Sequence, residues 1–442
     1  MKLRCNYPNS CPQVSTLPKR ICLVTSAHIS YNPRLLKEAD ALHEAGYKVR
    51  VVAMRLESAK AAWDRQLMST RGWRLETLDA CRDNLPGRLT WIKGSLRHQF
   101  YQRSVRLQRR GTGLETTFSR YFPEMCRLAG REPADLFIAH NLQALPAAAY
   151  AARRCQAKLG FDAEDFHRGE ISEDDAQRSS LRRRIMAVEQ SYIPRCDYLS
   201  AASDGIGDAY ARVLGVPKPV TILNAFPLSE REGHTPPEEL RKERRGPGLS
   251  LYWYSQVIGP DRGLQDVLQA LALLPTGVRL HIRGAWAHGY ESQFHEQTSA
   301  LGVADRVHLL PTVPPEQLVE RAAQHDVGLA LEAGHTENRR IAVTNKLLNY
   351  YLAGLAIAAS DVPGQRAIIK TAPEAGFLFK PGYAKALANH LRAWLECPET
   401  LKAAKERSRC LGKSRFCWDH EKLRLLRAVR ESAADCEPSS SL

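Results

Sequence analysis

The stretch Ile21–Met54, ICLVTSAHISYNPRLLKEADALHEAGYKVRVVAM, decides the fold class. An apolar run from Ile21 ends in small polar residues, and a segment with apolar positions at helical spacing follows it. Pro33 lies near the start of that segment and Gly46 at its end, as is usual at helix termini. A second apolar run, KVRVVAM, comes next. The pattern predicts a βαβ unit with two parallel strands and a right-handed crossover.

The same alternation recurs on both sides of a polar, proline-rich segment. Before it, ADLFIAH (from Ala134), KLGFDAE, DYLSAAS and VTILNAF are predicted strands. The segment PLSEREGHTPPEELRKERRGPG then marks a domain boundary. After it, LSLYWYSQ (from Leu249), VRLHIRG, DRVHLLP and VGLALEA continue the alternation. The sequence therefore predicts two open α/β sheets joined by a linker.

Length, hydrophobic content, net charge and cysteine content limit the classes of protein to which this sequence can belong. The 442 residues exceed the usual size of one domain, and the hydrophobic fraction of 44% supports a large core. The net charge of +15 favours polyanionic partners: nucleic acid, an anionic leaflet or phosphorylated small molecules. The eleven cysteines include no repeated CxxC motif, which predicts free thiols in a reducing cytosol rather than a disulfide scaffold or a zinc site.

Several common classes lack their signatures. No apolar run reaches the roughly 18 residues of a membrane span, and the first 20 residues have no apolar core of a secretory signal. We expect those residues to form a mobile extension. The sequence has no GxGxxG after the first strand, no GxxxxGK[ST] and no HExxH, nucleophile elbow or kinase motifs. No nucleic-acid-binding module is recognisable either, so the positive charge alone does not predict a nucleic-acid binder.

Polar residues at strand ends are the first candidates for a site, because open parallel sheets bind ligands beyond the carboxyl ends of their strands. His140 ends ADLFIAH, although a single histidine there is more often a structural cap. Glu164 and Asp165 form a carboxylate pair, for which a solvated loop is the alternative. The other strand-end candidates are Ser26, His28, Asn141, Ser203, Gln256, Arg283 and Glu332.

Two basic residues at helix starts indicate a phosphate site. In IGPDRG, Gly259 and Gly263 permit a tight turn, and Arg262 opens the next helix, where phosphate oxygens bind well. In VTNKLLNYYLAGLAIAASDVPG, Thr344 or Asn345 can cap a helix whose end is already positive, so Lys346 is locally unfavourable there. A bound anion would remove the penalty. The alternatives are a surface arginine and a hydrated lysine that points away.

Six segments in this order resemble the GT-B glycosyltransferases, specifically the large retaining family 4, which includes many bacterial mannosyl-, glucosyl- and N-acetylglucosaminyltransferases. They are VTSAHISYNPRLLKEADALHEAGYKVRVVA, ADLFIAHNLQALPAAA, FDAEDFH, YSQVIGPDRGLQDVL, HDVGLALE and NKLLNYYLAGLAIAASDVPG. The resemblance runs from about Ile21 to about Val429. It implies two Rossmann-like domains that face each other across a cleft, with the nucleotide-diphosphate sugar on the second domain and the acceptor on the first.

The resemblance also assigns domains. We expect a flexible extension at 1–20, the acceptor domain at 21–227, a linker at 228–248, the sugar-nucleotide domain at 249–411, a helix at 412–433 that crosses back to the first domain, and a disordered tail at 434–442.

The resemblance implies roles for individual residues and no metal or other cofactor. The expected catalytic residues are His140, facing the sugar, with Arg262 and Lys346 on the leaving diphosphate. The expected nucleotide-sugar contacts are Gly259, Gly263, Arg283, Glu332, Thr344, Asn345 and Asn349. The expected acceptor-side residues are His28, Arg34, Glu164 and Asp165.

One position departs from the family pattern. The family often has two glutamates separated by seven residues, the second of which contacts the nucleotide ribose. Here Ile341 and Asn349 stand at those positions, and Glu332 or Glu337 are alternative sources of a carboxylate. A catalytically weak scaffold or a sugar-nucleotide-binding partner protein is therefore the main alternative to an active enzyme. A non-hydrolysing sugar-nucleotide epimerase is a minor one.

The segment Trp91–Arg110 is basic, with apolar residues interleaved, and lies in the expected acceptor domain. Such a helix can lie on an anionic leaflet. Lipid-linked acceptors are frequent in the family, so we expect a glycan or polyprenyl-linked acceptor and a cytoplasmic protein at the inner face of the membrane. The alternative is an ordinary solvated helix.

Overall fold

The computed structural model describes residues 20–103, 113–172, 174–231 and 248–433. Nearly all of the predicted extension at 1–20, most of the predicted linker at 228–248 and the predicted tail at 434–442 lie outside the described residues. The predicted domain boundaries therefore stay predictions.

The first sheet has seven parallel strands among the described residues, in the order β3-β2-β1-β4-β5-β6-β7. Their bounds are β1 Arg20–Thr25, β2 Lys48–Arg55, β3 Arg74–Asp79, β4 Leu136–His140, β5 Lys158–Ala163, β6 Tyr198–Ala201 and β7 Val220–Thr221. The helices that accompany them are α1 Pro33–Glu44, α2 Ser58–Met68, α3 Leu85–Arg103, α4 Gly113–Phe118, α5 Phe122–Ala129, α6 Leu145–Cys155, α7 Ser179–Tyr192 and α8 Asp204–Leu214.

The second sheet has six parallel strands among the described residues, in the order β10-β9-β8-β11-β12-β13. They are β8 Ser250–Ile258, β9 Arg279–Trp286, β10 Val307–Leu310, β11 Val327–Ala330, β12 Ala356–Ser360 and β13 Gly376–Phe379. The helices are α9 Leu264–Ala272, α10 Tyr290–Ala300, α11 Leu318–Ala322, α12 Glu337–Ile341, α13 Asn345–Ala353, α14 Pro363–Ile369, α15 Ala384–Glu396, α16 Pro398–Ser414 and α17 Trp418–Ala433.

Both sheets are covered by helices on their two faces, which explains the continuous apolar runs in the sequence. In β1, Cys22 and Val24 join the core on one face, whereas Ile21 and Leu23 join the core on the other. The expectation of two α/β sheets is confirmed.

The last helix, α17, crosses back to the first sheet. Its Leu425 and Val429 are fully buried in one apolar cluster with Ile21 and Ile138 of the first sheet. The chain leaves the first half near Phe226 and returns to it near Cys417, and these two segments are in contact. Phe226 forms a parallel β-bridge with Cys417, and the Trp418 N–H donates to the Phe226 carbonyl at 2.9 Å. The predicted crossover is confirmed.

None of the helices that the structure describes combines the length and apolar character that crossing a membrane requires.

Candidate active site between the two sheets

The loop after β8 brings Arg262 to the carboxyl end of the second sheet. Gly263 has φ +76°, and a Cβ there would lie 3.0 Å from the Leu331 Cβ, so the turn requires glycine on both counts. Gly263 is also the N-cap residue of α9, which begins at Leu264. Arg262 therefore precedes the helix rather than opening it, a small correction to the sequence prediction.

The start of α13 brings a second positive group to the site. Thr344 is its N-cap residue, but no side chain of the described residues caps the helix. The Leu347 N–H donates to the Thr344 carbonyl at 3.0 Å, so the N–H groups of Asn345 and Lys346 are the ones that keep their capacity to bind an anion. Lys346 lies in this first turn with its Nζ 5.6 Å from the centre of the Trp253 ring.

Arg262 and Lys346 interact electrostatically with Arg339 of α12. Burial lowers the pKa of Lys346, and the charges of Arg262 and Arg339 lower it further, against an opposing effect of Glu332. Burial also lowers the pKa of Arg262, with Arg339 as the next cause. Within the described residues, the side chains of Arg262 and Lys346 form no hydrogen bond and no ion pair. The group thus carries excess positive charge that an anionic ligand would compensate.

Helix α12 connects this positive group to the first sheet. Asn338, just before Arg339, donates from Nδ2 to Asp165 Oδ1 at 2.8 Å and accepts at Oδ1 from the Phe166 N–H at 2.8 Å. At the other end of α12, the Ser203 hydroxyl donates to the Ile341 carbonyl at 2.9 Å. The loops that follow β5 and β6 therefore contact α12, the helix that carries Arg339 of the basic group.

A buried ionic network lies behind these strand ends. Arg34 donates from Nε and Nη2 to the two oxygens of Asp162 at 2.6 and 2.7 Å, and from Nη1 to the Ile222 carbonyl at 2.6 Å. Its Nε also lies 3.3 Å from Glu38 Oε1. Burial opposes the charge on Asp162, but Arg34 outweighs it and lowers the Asp162 pKa to about 2.

His140 belongs to this network. Its Nε2 lies 3.3 Å from Glu38 Oε2, its Nδ1 lies 3.4 Å from Asp162 Oδ2, and the residue is 1% exposed. Burial disfavours the charged ring, yet the two carboxylates prevail and raise the pKa of the His140 imidazole. With both ring nitrogens facing carboxylates, His140 does not face a ligand in this conformation. The predicted contact of His140 with the sugar stays a prediction, and what the geometry shows is a histidine enclosed by two carboxylates at the end of β4.

The network does not suit a metal ion. Glu38, His140 and Asp162 offer ligand atoms that lie within 4.8 Å of one another. However, the guanidinium of Arg34 already donates to both Asp162 oxygens. A divalent cation would therefore meet a fixed positive charge, and we assign no metal to these residues.

Two solved structures with similar folds give the architecture independent support. HepE from Anabaena in complex with UDP is 16% identical with a TM-score of 0.68, and the match covers 93% of this chain and all of that one. Sucrose-phosphate synthase from Thermosynechococcus elongatus is 15% identical with a TM-score of 0.66, covering 93% of this chain and 98% of that one. At these identities the likeness concerns the fold.

Two family models decide the classification. The model described as "Glycosyl transferase 4-like domain" matches residues 31–225, and the model described as "Glycosyl transferases group 1" matches residues 237–410. The chain belongs to the family 4-like glycosyltransferases with the GT-B fold. No curated protein matches it significantly. The fold class and the class of enzyme that the sequence predicted are confirmed.

Three charged residues predicted to contact ligands in this glycosyltransferase are instead buried with protein partners. His28 accepts at Nε2 from the N–H groups of Leu56 and Glu57, at 2.8 and 3.0 Å, and its Nδ1 lies 2.6 Å from Asp64 Oδ2. Arg283 donates to the Tyr252 hydroxyl at 2.9 Å and to the Pro311 carbonyl at 2.5 Å. The third is Arg34 of the buried network. All three side chains are buried and bonded to protein groups, and their predicted contacts with ligands stay predictions.

Glu164 and Asp165 remain partly exposed at the end of β5. Asp165 is held by Asn338, and Glu164 accepts from Asn224 Nδ2 at 3.0 Å. Burial and the neighbouring charge of Asp165 raise the pKa of Glu164 to about 7. Of the predicted acceptor-side residues of the glycosyltransferase, this pair is the one whose position still allows contact with a ligand.

Asn349 lies one turn after Lys346 on α13 and is fully buried. Neither its Oδ1 nor its Nδ2 has a hydrogen-bond partner among the described residues.

Glu337, an alternative source of a carboxylate, pairs with Arg212 of the first half at 3.0 Å. Glu332 is the alternative that shares the electrostatic environment of Arg262 and Lys346. Of the remaining predicted contacts, Gly259 is buried, Thr344 is half-buried and Asn345 is exposed.

Sequence reasoning missed Asn338 and Arg339. Both lie in the polar segment GHTENRR, which has the composition of a loop and no strand end to mark it. Thr336 was the available signal, because its hydroxyl caps the short helix by accepting from the Arg339 N–H at 3.3 Å.

Proposed function

We propose that this protein is a retaining glycosyltransferase that moves a sugar from a nucleotide-diphosphate sugar to a hydroxyl group of a glycan or lipid-linked acceptor, without a metal ion. The observation that carries the proposal is the convergence of Arg262, Lys346 and Arg339 at the uncapped start of α13, where neither Arg262 nor Lys346 has an ionic partner among the described residues. A diphosphate supplies the charge that this arrangement lacks.

The proposed chemistry is stabilisation of the leaving group. As the bond between the anomeric carbon and the diphosphate oxygen breaks, negative charge develops on that oxygen. Positive side chains and helix N–H groups that are already in place stabilise this charge without reorganisation, which is usually the largest single catalytic effect. The acceptor hydroxyl attacks the same face of the sugar, and its proton passes to the departing phosphate. No protein base is then required.

The donor we favour is a UDP-sugar. One of the similar HepE structures contains UDP. Another contains UDP-glucose and is 16% identical to this chain with a TM-score of 0.67. In our proposal the nucleotide lies against α13, where Asn349 offers an amide to the ribose in place of the family's glutamate. An amide lacks the charge-assisted strength of a carboxylate, so this contact is weaker than in other members of the family.

The acceptor is proposed to bind on the first half, close to Glu164 and Asp165. We further propose that the enzyme works in glycan or polysaccharide biosynthesis at the cytoplasmic face of a membrane, where a polyprenyl-linked acceptor is available. The positive net charge of +15 supports such a location, because an anionic leaflet attracts a basic protein.

A second candidate is a sugar-nucleotide-binding scaffold with little transferase activity, and Asn349 is the observation that favours it. One experiment separates the two. Thermal-shift titration with UDP-, GDP- and ADP-sugars identifies the donor, and a product assay with the same sugars follows. Binding with transfer supports the enzyme, binding without transfer to any tested acceptor supports the scaffold, and no binding contradicts both.

A further inference from the structure

Helix α3 exposes an apolar row to solvent. Leu85, Leu89, Ile92, Leu96 and Phe100 recur every three or four residues and therefore lie on one side of the helix. Their exposed fractions range from 38% to 70%. We refer to these five residues as the α3 stripe. A contiguous apolar surface of this kind marks an interaction site rather than scattered surface apolar residues.

The opposite side of α3 is fitted to the protein, so the helix cannot turn to bury the stripe. A Cβ at Gly87 would lie 2.3 Å from the Cys81 carbonyl oxygen, and a Cβ at Gly94 would lie 2.9 Å from the Tyr121 ring. On the same inner side, Arg97 donates to Glu124 from Nη1 and Nη2 at 2.9 and 2.5 Å. The orientation that exposes the stripe is therefore built into the packing.

The charge around the stripe identifies the kind of partner. Leu85–Arg103 contains no aspartate or glutamate, and Arg88, Lys93 and Arg103 are exposed on it. A second copy docking on the same surface would bring these like charges together. An anionic lipid surface instead satisfies both features, because it accepts apolar side chains at its acyl boundary and attracts the basic ones.

A polar cavity opens beside the stripe. Its volume is about 590 Å³, and its lining includes Glu57, Ser58, Arg82, Arg88, Trp91 and Ile92. Ile92 belongs to the stripe as well, so the two surfaces are continuous. Glu57 and Arg82 follow β2 and β3, at the same carboxyl edge of the first sheet as Glu164 and Asp165 but separated from them by β1 and β4. A membrane that contacts the stripe would thus bring lipid head groups to the acceptor side of the enzyme.

We propose that the α3 stripe binds an anionic lipid bilayer and presents the adjoining cavity to the head group of a membrane-anchored acceptor. The stripe and its basic flanks carry the membrane contact; the assignment of the cavity rests on the proposed function.

The test is sedimentation with phosphatidylcholine vesicles that contain or lack phosphatidylglycerol. The double variant Leu89→Gln/Leu96→Gln removes two stripe residues that do not line the cavity, and we expect its partition onto anionic vesicles to fall at least about tenfold. The double variant Leu273→Gln/Leu423→Gln, at exposed leucines elsewhere, is the matched control and should bind as the wild type does.

The basic flanks are tested separately. The double variant Arg88→Gln/Lys93→Gln should lose about fivefold in partition onto anionic vesicles for each residue replaced, whereas the control Lys385→Gln/Lys402→Gln should show no change.

Three results would overturn the proposal: equal binding to neutral and anionic vesicles, unchanged binding of the stripe variant, or a soluble dimer that the stripe variant dissociates while vesicle binding is absent. Transfer to a soluble and to a vesicle-anchored acceptor separates this proposal from the proposed function. If only the membrane proposal fails, the stripe variant uses both acceptors as well as the wild type does. If the proposed function fails, no transfer occurs with either acceptor, whether or not the protein binds vesicles.

Discussion

Asn338 of the second half is hydrogen-bonded to Asp165 of the first, from Nδ2 to Oδ1 at 2.8 Å. The same side chain accepts from the Phe166 N–H at 2.8 Å, so one buried amide joins the acceptor side of the site to the helix that carries Arg339. Both halves of the site therefore depend on a contact that the sequence pattern did not indicate.

We expect Asn338→Ala to loosen this connection. It leaves the Phe166 N–H and an Asp165 oxygen without their partner, at a cost of about 1–3 kcal/mol for each group that stays buried. Urea unfolding followed by tryptophan fluorescence should show a lower midpoint, and the KM for the sugar nucleotide should rise. Asn389→Ala, at an exposed amide of α15, is the control. Equal midpoints for the two variants would contradict the proposed connection.

The basic group at α13 should govern catalysis. Removing Arg262 or Lys346 by alanine substitution should cost about 3 kcal/mol of transition-state stabilisation, as expected for donors aimed at developing charge, and kcat/KM would fall accordingly. Arg339→Ala should weaken binding of free nucleoside diphosphate as well. Arg407→Ala, exposed on α16, should leave activity unchanged. An unaltered rate in the Arg262 variant would refute the assignment of the diphosphate site.

The buried network should make stability depend on pH at both ends of the range. The Asp162 pKa is lowered to about 2, so its contribution is present above the unfolded value near 4 and is lost as pH falls through 2. The His140 pKa is raised, so its contribution is complete below 6.5 and is lost as pH rises through the higher folded value.

Urea midpoints measured for the wild type and His140→Gln should therefore differ more at pH 5.5 than at pH 9. A difference between the wild type and His140→Gln that is independent of pH would show that the histidine is not charged in the folded protein.

Asp162→Asn removes one partner of a buried ion pair and should lower the free energy of unfolding by about 3–5 kcal/mol near neutral pH.

Replacing Asn349 should affect the stability of the protein and its binding of UDP in different ways. Its buried amide has no partner among the described residues, and Asn349→Leu removes the penalty of an unsatisfied group, about 1–3 kcal/mol. The urea midpoint should stay equal or rise, while the thermal shift produced by UDP should shrink because the ribose contact is lost. A variant that keeps the full UDP shift would exclude Asn349 from the nucleotide site.

The sequence predicted most of the architecture because buried parallel strands are continuous apolar runs with helices between them. It missed β3, RLETLD, whose residues are all partly or fully exposed at the edge of the sheet and lack such a run. It also missed β13, the four-residue strand at the edge of the second sheet. Edge strands carry less of the burial signal that sequence patterns record.

The site was predictable only in part, because charged residues look alike in sequence whether they meet a ligand or a protein partner. Arg262 and Lys346 lie close enough to interact electrostatically, whereas their contact with a diphosphate stays a prediction. Arg34 has equally good placement at the start of α1, but its partner Asp162 lies 128 residues away along the chain, and no local pattern announces that pair. Arg283 and His28 were assigned to ligands for the same reason.

The paired passage of the chain at Phe226 and Cys417 has a mechanical consequence. Two segments that are hydrogen-bonded at this point should act together as one hinge. We therefore expect any rotation of one half against the other to be taken up by the backbone torsions around Phe226 and Cys417, and substitutions there to change how far the mouth of the enzyme opens without touching any group that handles the sugar.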